Sequence, residues 1–274
     1  MEMSYWRGKR AVVTGGSAGL GRAIATALVQ HGAKVAIVAR GQASLDEAAQ
    51  QLKALGGDVL AVAADVTKQE DVDRLASTVT SAWGGLDLLC HCAGRSMRGT
   101  VLATSPEDFR NLWETNFLSA VRCVQAFADS LLDSRGHVVL IGSLASKVAA
   151  GYLGAYPASK FPLAALAQQL RIEMGERGLH TLLVCPGPIT RDDAPASVVR
   201  YAEQGAGVPA AAHQPGGGAK VRRVDPRDLA ERILRSCERR RAELVVPWSP
   251  RILFVAAQIS PRFGDWLLRK TTSG

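Results

Sequence analysis

The chain has 274 residues, of which 47% are apolar and 21% are charged. This composition excludes a disordered, collagenous or coiled-coil chain, and the length is typical of one large globular domain. No run approaches the ~20 apolar residues of a membrane-spanning helix, and the first residues lack the apolar region of a secretory signal. We therefore expect a cytoplasmic enzyme.

The net charge of +8 is concentrated near the C-terminus. Residues 1–218 contain 20 Lys and Arg against 19 Asp and Glu, whereas residues 219–274 contain 13 against 6. A basic tail is compatible with nucleic acid, with an anionic membrane or with solubility alone. Because the body lacks the aromatic residues that alternate with basic ones in RNA-binding proteins, we expect no nucleic-acid partner.

The five cysteines form no recognisable metal or disulfide motif, because their number is odd and no Cys-x-x-Cys pair occurs. Cys90 and Cys92 share one face of a predicted strand, with no further ligands evident nearby in the sequence. We expect reduced, buried thiols and no bound metal.

Short apolar runs alternate with segments of helical spacing along most of the chain. The predicted strands are Arg10–Thr14, Lys34–Ala39, Asp58–Ala64, Leu86–His91, His137–Gly142, Leu179–Cys185 and Glu243–Val246. The predicted helices include Leu20–His31, Ser44–Leu55, Lys68–Trp83 and Pro106–Leu132. Nearly continuous apolar strands joined by helices indicate a parallel sheet covered on both faces. The alternation alone fits either a closed barrel or an open sheet.

Two stretches interrupt this alternation. Residues 190–224 contain glycine clusters and no clear periodicity, which predicts an active-site lid or a disordered insertion. Residues 248–274 mix large apolar and basic side chains. We expect residues 1–247 to form a single domain. Residues 248–274 are then a basic amphipathic tail that packs on this domain, on a neighbouring subunit or on a membrane surface.

The first predicted strand leads into the loop Thr14-Gly-Gly-Ser-Ala-Gly-Leu-Gly21, and a helix follows. Glycines in such a loop let the backbone approach a pyrophosphate whose charge lies at the helix N-terminus. We expect cofactor contacts from Gly15, Ser17, Gly19, Leu20 and Gly21. The loop favours an α/β fold with a single, open, doubly wound parallel sheet of about seven strands.

The residue after the second predicted strand indicates which dinucleotide binds. A site that recognises a free ribose 2′-hydroxyl carries Asp or Glu there. This chain instead has Ala39 followed by Arg40, whose guanidinium can hold a 2′-phosphate. The sequence therefore favours NADP(H), with NAD(H) as the alternative.

Four polar residues complete the pattern. Tyr156 and Lys160 lie four residues apart at the start of a predicted helix, Ser143 follows a strand, and Asn116 lies in a helical segment. Together with the glycine loop, they resemble the Asn-Ser-Tyr-Lys tetrad of the short-chain dehydrogenase/reductase family. The resemblance covers roughly residues 8–190, and it implies a Rossmann-type fold.

The chemistry of carbonyl reduction explains these residue types. The carbonyl oxygen must take a proton, and an unperturbed tyrosine, with a pKa of about 10, exchanges protons slowly at neutral pH. A lysine one helical turn away lies on the same face and lowers the tyrosine pKa. Tyr156 is then the general acid or base, and Ser143 stabilises the substrate oxygen. The resemblance implies that Lys160 also holds the ribose hydroxyls, and that Asn116 holds a proton-relaying water.

The resemblance implies further cofactor contacts. Asp65 and Val66 resemble the family's adenine-contacting pair, and Pro186, Gly187 and Ile189 resemble its nicotinamide-side segment. Cys92, Ala93 and Gly94 stand where the family usually has Asn-Ala-Gly. That asparagine ties the central sheet together through its amide, which a thiol does not imitate.

The loop before Tyr156 is small and mostly apolar, which favours a hydrophobic ketone or alcohol substrate. The chain is similar to the family's lipid-ketone reductases, which act on 3-ketosphinganine or steroids, and the family implies a homodimer or homotetramer. We therefore expect NADPH-dependent reduction of a carbonyl, or the reverse oxidation, on a hydrophobic substrate. The alternatives are an NAD-linked alcohol dehydrogenase of the same fold and a dinucleotide-binding sensor or scaffold without turnover.

Overall fold

A computed structural model describes residues 4–190, 201, 208–213 and 221–272. Its centre is one sheet of seven parallel strands in the order β3-β2-β1-β4-β5-β6-β7. The strands are β1 (Arg10–Thr14), β2 (Lys34–Ala39), β3 (Val59–Ala63), β4 (Leu88–His91), β5 (His137–Ile141), β6 (His180–Pro186) and β7 (Glu243–Val246). The predicted single open sheet of about seven strands is confirmed.

Helices cover both faces of the sheet. They are α1 (Gly19–Gln30), α2 (Gln42–Ala54), α3 (Gln69–Trp83), α4 (Pro106–Trp113), α5 (Ser119–Ala126), α6 (Ala128–Asp133), α7 (Tyr156–Met174), α8 (Pro226–Glu238), α9 (Pro250–Ile259) and α10 (Pro261–Thr272). Apolar residues of α1, α2 and α8 fill the core on one face. Those of α3, α5, α7 and α9 fill the core on the other. This two-sided burial explains why the strands are apolar along both faces.

The segment predicted as one helix over Pro106–Leu132 is interrupted. After α4, residues Glu114–Leu118 form a π-helical turn, and Phe127 separates α5 from α6. Within this turn Asn116 is bound to the loop after β4 and to α7. The predicted helical segment is therefore built from three helices and one π-helical turn.

The segment 190–224 lies largely outside the described residues, so the predicted lid stays a prediction. Its two ends meet: Ile189 and Val224 form a β-bridge, and the Thr190 amide donates to the Val224 carbonyl at 2.9 Å.

Residues 250–272 form α9 and α10, each of which begins at a proline. No helix among the described residues is long and apolar enough to cross a membrane.

A hydrogen-bonded chain of aromatic rings lies at the amino ends of β5 and β6. His137 and His180 are register partners, and their Nδ1 atoms lie 2.8 Å apart. The Tyr5 hydroxyl lies 2.7 Å from His137 Nε2, and His180 Nε2 donates to the Arg241 carbonyl at 2.8 Å. A tautomer set in which the Tyr5 hydroxyl and His137 Nδ1 donate satisfies every atom of this chain. Cys237 lies in the same cluster.

The buried histidines make stability depend on pH. Burial lowers the pKa of His137 to about 3. Between that value and the ~6.5 of an exposed histidine, only the unfolded chain binds the proton, so stability falls as the pH falls. Because of His137, we expect the free energy of unfolding to fall by about 1 kcal/mol when the pH is lowered from about 7.5 to about 5.5.

Urea denaturation at the two pH values measures this loss. His137→Gln removes the titrating ring, so this variant loses less stability over the same interval even if it is less stable at the higher pH. If the wild type and His137→Gln lose the same free energy of unfolding over this interval, the lowered pKa of His137 is wrong.

Candidate active site

The strand order reverses between β1 and β4, and the crevice beyond their carboxyl ends is where open α/β sheets bind ligands. The glycine loop follows β1 at this point, and Cys92-Ala93-Gly94 follows β4. A Cβ placed on Gly15 would lie 3.2 Å from the Ala93 amide nitrogen. The two segments are thus in backbone contact and form one edge of the crevice.

The glycines of this loop have different physical roles. A Cβ on Gly21 would lie 2.2 Å from the Gly15 carbonyl oxygen, so only glycine lets α1 pack this closely on the loop. Gly19 has φ +53°, and a Cβ there would meet nothing within 4 Å. The first turn of α1 therefore faces open space, which fits a pyrophosphate held by backbone amides.

The other residues predicted to contact the cofactor near the glycine loop differ in solvent exposure. Ser17 is half-buried, whereas the Leu20 side chain lies in the core and leaves only its backbone for a ligand. Arg40 is exposed at the end of β2, next to the glycine loop, since the Gly16 amide donates to the Val38 carbonyl at 3.2 Å. An exposed cation therefore lies at the end of β2, beside the glycine loop.

Asp65 and Val66 follow β3, at the edge of the same crevice. Asp65 Oδ1 accepts hydrogen bonds from the Thr67 amide and hydroxyl at 3.1 and 2.8 Å. Val66 is buried in the core. The side chain of Asp65 is thus held in a local turn, and the side chain of Val66 is part of the core.

Thr14 ties the end of β1 to the segment after β4. Its hydroxyl oxygen accepts hydrogen bonds from the amides of Cys92 and Ala93, both at 3.1 Å. It also lies 3.2 Å from Nδ1 of His91, whose Nε2 lies 3.0 Å from the Ser119 hydroxyl. Thr14 and His91 therefore connect the ends of β1 and β4 with the start of α5.

Lys160 is buried at the centre of the carboxyl edge, with 5% of its surface exposed. Its ammonium group donates a hydrogen bond to the Ile141 carbonyl at 2.9 Å. Burial lowers the pKa of Lys160 to about 8, and the nearby thiols of Cys92 and Cys185 counteract this effect. The ends of β4, β5 and β6 thus surround one positive charge.

Asn116 connects three elements around this lysine. Its Oδ1 accepts from the Arg95 amide at 2.8 Å, and its Nδ2 donates to the Arg95 carbonyl and to the Ser159 hydroxyl. A Cβ on Gly94 would lie 2.9 Å from Asn116 Oδ1 and 3.3 Å from Lys160 Nζ. Position 94 therefore has no room for a side chain between the two groups.

Ser143 and Tyr156 lie at the same edge of the sheet. Ser143 caps a short 3-10 turn over Leu144–Ser146, and its Oγ accepts from the Ala145 amide at 3.1 Å. Its amide donates to Ser146 Oγ at 3.1 Å, which fixes the backbone after β5. Tyr156 is the first residue of α7, is half-buried and lies one helical turn before Lys160.

The segment after β6 closes the far side of the crevice. Pro186 ends β6, and the Gly187 amide donates to the Val246 carbonyl of β7 at 2.7 Å. Ile189 packs against the core beside α8. These residues therefore lie at the carboxyl edge of the sheet.

Arg98 is a candidate site residue whose role the sequence reasoning missed. It is 2% exposed, its Nε donates to the Ala212 carbonyl at 2.7 Å, and its guanidinium lies 4.0 Å from the Tyr201 ring centroid. Burial lowers the pKa of Arg98, and the hydroxyls of Tyr201 and Tyr156 counteract this. The only sequence signal was its position in the loop after Gly94, because two of its partners, Ala212 and Tyr201, lie more than a hundred residues further along the chain.

The loop that carries Arg98 is paired with the residues before Tyr156. The Gly99 amide donates to the Tyr152 carbonyl at 3.1 Å, and the Gly154 amide donates to the Gly99 carbonyl at 2.9 Å. Arg98 is therefore held at a fixed place beside the start of α7.

Comparisons with known proteins agree with this geometry. Over 228 residues, the chain is 34% identical to glycine betaine reductase ATRR of Emericella nidulans, a match that covers 83% of this chain and 17% of that protein. It is 27% identical over 274 residues to the ketoacyl reductase HetN of Nostoc sp., covering 97% and 90% of the two chains.

A solved structure has the same architecture. L-sorbose reductase of Gluconobacter frateurii, in complex with NADPH and L-sorbose, superimposes with a TM-score of 0.78 at 27% identity and covers 90% of this chain and 97% of that one. The sequence profile described as short chain dehydrogenase matches residues 9–200. The chain belongs to the short-chain dehydrogenase family of oxidoreductases, which bind a nicotinamide dinucleotide and act on small molecules.

Proposed function

We propose that the protein reduces the carbonyl group of a hydrophobic small molecule with NADPH, or runs the reverse oxidation. The observation that carries this proposal is the buried ammonium group of Lys160, one helical turn from Tyr156 and bound to the end of β5. A binding protein without turnover has no chemical use for a buried charge beside a tyrosine. This arrangement supports a proton-transfer site.

Each proposed catalytic residue has a distinct task. When bound, the nicotinamide supplies the hydride to the carbonyl carbon. Tyr156 donates its proton to the carbonyl oxygen, and in oxidation it takes the proton from the alcohol. Ser143 Oγ accepts from the Ala145 amide, so its hydroxyl proton can be donated to the substrate oxygen.

Lys160 and Asn116 support the tyrosine. Lys160 holds the ribose hydroxyls, and its charge favours loss of the Tyr156 proton during oxidation. Both N–H groups of Asn116 are bound to Arg95 and Ser159. A relay water would therefore use the second lone pair of Asn116 Oδ1.

The cofactor preference depends on Arg40, which would hold the 2′-phosphate, and Ser17 could assist it. Gly15, Gly19 and Gly21 would contact either dinucleotide. The L-sorbose reductase structure holds NADPH, which supports NADP(H) in this chain. The alternative, an NAD-linked alcohol dehydrogenase, keeps every catalytic residue and differs only at the 2′-position.

The surroundings of Tyr156 support a hydrophobic substrate. Val148 and Leu153 are buried in the loop that precedes Tyr156. The similarity to a ketoacyl reductase supports an acyl-type ketone. We further propose that the enzyme acts in the cytoplasm as a homodimer or homotetramer.

Replacing Tyr156 with Phe tests the proton-transfer step. We expect the variant to lose about 100-fold or more in rate, because it keeps the ring but cannot exchange a proton. Its affinity for NADPH, measured by fluorescence titration, should stay unchanged. Tyr152→Phe is the matched control, since Tyr152 is an exposed tyrosine four residues earlier. An unchanged rate in Tyr156→Phe would refute the mechanism.

Replacing Arg40 with Ala tests the cofactor. We expect weaker NADPH binding, by about tenfold or more, because a charge-assisted bond to the 2′-phosphate is lost. NADH binding should be unaffected. The control is Lys53→Ala, which removes a basic residue near the end of α2 and should change neither the NADPH nor the NADH affinity. Equal losses of NADPH and NADH binding in Arg40→Ala would remove the assignment of NADP(H).

Arg98 provides a separate test of the charge beside Tyr156. Arg98→Met removes this charge, so the rise of the oxidation rate with pH should move to higher pH. Arg98→Lys keeps the charge and should restore the wild-type pH profile, even where it weakens the contacts with Ala212 and Tyr201. If both variants keep the wild-type profile, Arg98 only supports the fold.

A further inference from the structure

Helices α9 and α10 present an apolar surface to solvent. Four large apolar side chains are exposed to solvent here: Ile259 is 80% exposed, Ile252 65%, Val255 58% and Phe263 52%. They border an open groove of about 570 Å³ between the two helices. We call this surface, formed by Ile252, Val255, Ile259 and Phe263, the tail face.

The tail face is the outer side of α9 and α10, which together form an amphipathic pair of helices. On the inner side, Phe254 is buried in the core, with Leu253, Ala257 and Leu268 packed against the same cluster. A Cβ on Gly264 would lie 2.5 Å from the Ala257 Cα, so the two helices are in close contact at this point. The inner residues therefore anchor the helices to the domain, whereas the residues of the tail face are more than half exposed.

The charges and aromatic rings beside the tail face fit an anionic lipid surface. Residues 248–272 contain four basic residues, Arg251, Arg262, Arg269 and Lys270, and one acidic residue, Asp265. Trp248 is 66% exposed, and Lys270 Nζ lies 4.2 Å from the Trp266 ring centroid. Tryptophan and basic side chains around an apolar face are typical of helices that lie in a membrane interface.

The position of the helices also connects this surface with the site. They follow β7, the edge strand, and leave the sheet at its carboxyl end, where the Gly187 amide is bound to the Val246 carbonyl. Phe254 and Val148, which lies in the loop before Tyr156, belong to the core on the same face of the sheet. The two helices therefore start from the sheet edge that carries the crevice.

We propose that the tail face binds the surface of an anionic lipid bilayer, with its apolar residues among the lipids and its basic residues at the headgroups. The binding is peripheral, because the two helices lie along the protein surface. It does not depend on the reaction assigned above, since it needs neither cofactor nor turnover.

Sedimentation of the full chain with vesicles tests this proposal. Vesicles of phosphatidylcholine mixed with phosphatidylglycerol should bind the protein at least about tenfold more tightly than vesicles of phosphatidylcholine alone. The double variant Ile259→Ser, Phe263→Ser should lose at least about tenfold in binding to the anionic vesicles. Ile172→Ser, a matched change at a residue 71% exposed on α7, should bind as the wild type does.

Absence of binding to anionic vesicles by the wild type would overturn the proposal. So would an equal loss of binding in Ile172→Ser and in the double variant.

Sedimentation equilibrium of the wild type and the double variant, without lipid, tests whether a second copy of the chain covers the tail face instead. If the wild type is an oligomer that the double variant breaks up, a second copy covers the tail face and the proposal is wrong. A protein that binds vesicles but reduces no ketone would leave this proposal intact and refute only the reaction.

Discussion

The ammonium group of Lys160 is removed from water and donates a hydrogen bond to the Ile141 carbonyl at 2.9 Å. A buried charge is costly unless it is well solvated by the protein, so the groups around it must be placed accurately. The carboxyl ends of β4, β5 and β6 converge on this charge, and α7 starts one turn earlier with Tyr156. The arrangement of the candidate site follows from this one constraint.

The neighbouring contacts fix the backbone around Lys160. Asn116, in its π-helical turn, binds the Arg95 backbone and Ser159, and so joins the loop after β4 to α7. Thr14 binds the amides of Cys92 and Ala93 and so keeps the glycine loop beside the same segment. These bonds join the segments that border the first turn of α1, where a Cβ on Gly19 would meet nothing within 4 Å. The open space at this turn fits a dinucleotide.

The sequence predicted those features that depend on neighbours along the chain. The strand bounds agree within two residues, because long apolar runs lie between clear breaks, and Lys160 follows Tyr156 by one turn as helix geometry requires. Features that depend on distant partners could not be predicted. The π-helical turn at Asn116 is set by bonds to Arg95 and Ser159, and the buried position of Arg98 depends on Tyr201 and Ala212. No local pattern encodes either.

The most direct test of this account is the ionisation of Lys160 in the protein without cofactor. Nuclear magnetic resonance of ¹³C-labelled lysine side chains, with Lys160→Met to assign the signal, measures its pKa. The account predicts that one lysine titrates near the value of about 8 that burial imposes, well below an exposed lysine, and that its signal is absent from Lys160→Met. If every lysine titrates like an exposed one, the ammonium group of Lys160 is not removed from water, and the constraint on which this description of the site depends is wrong.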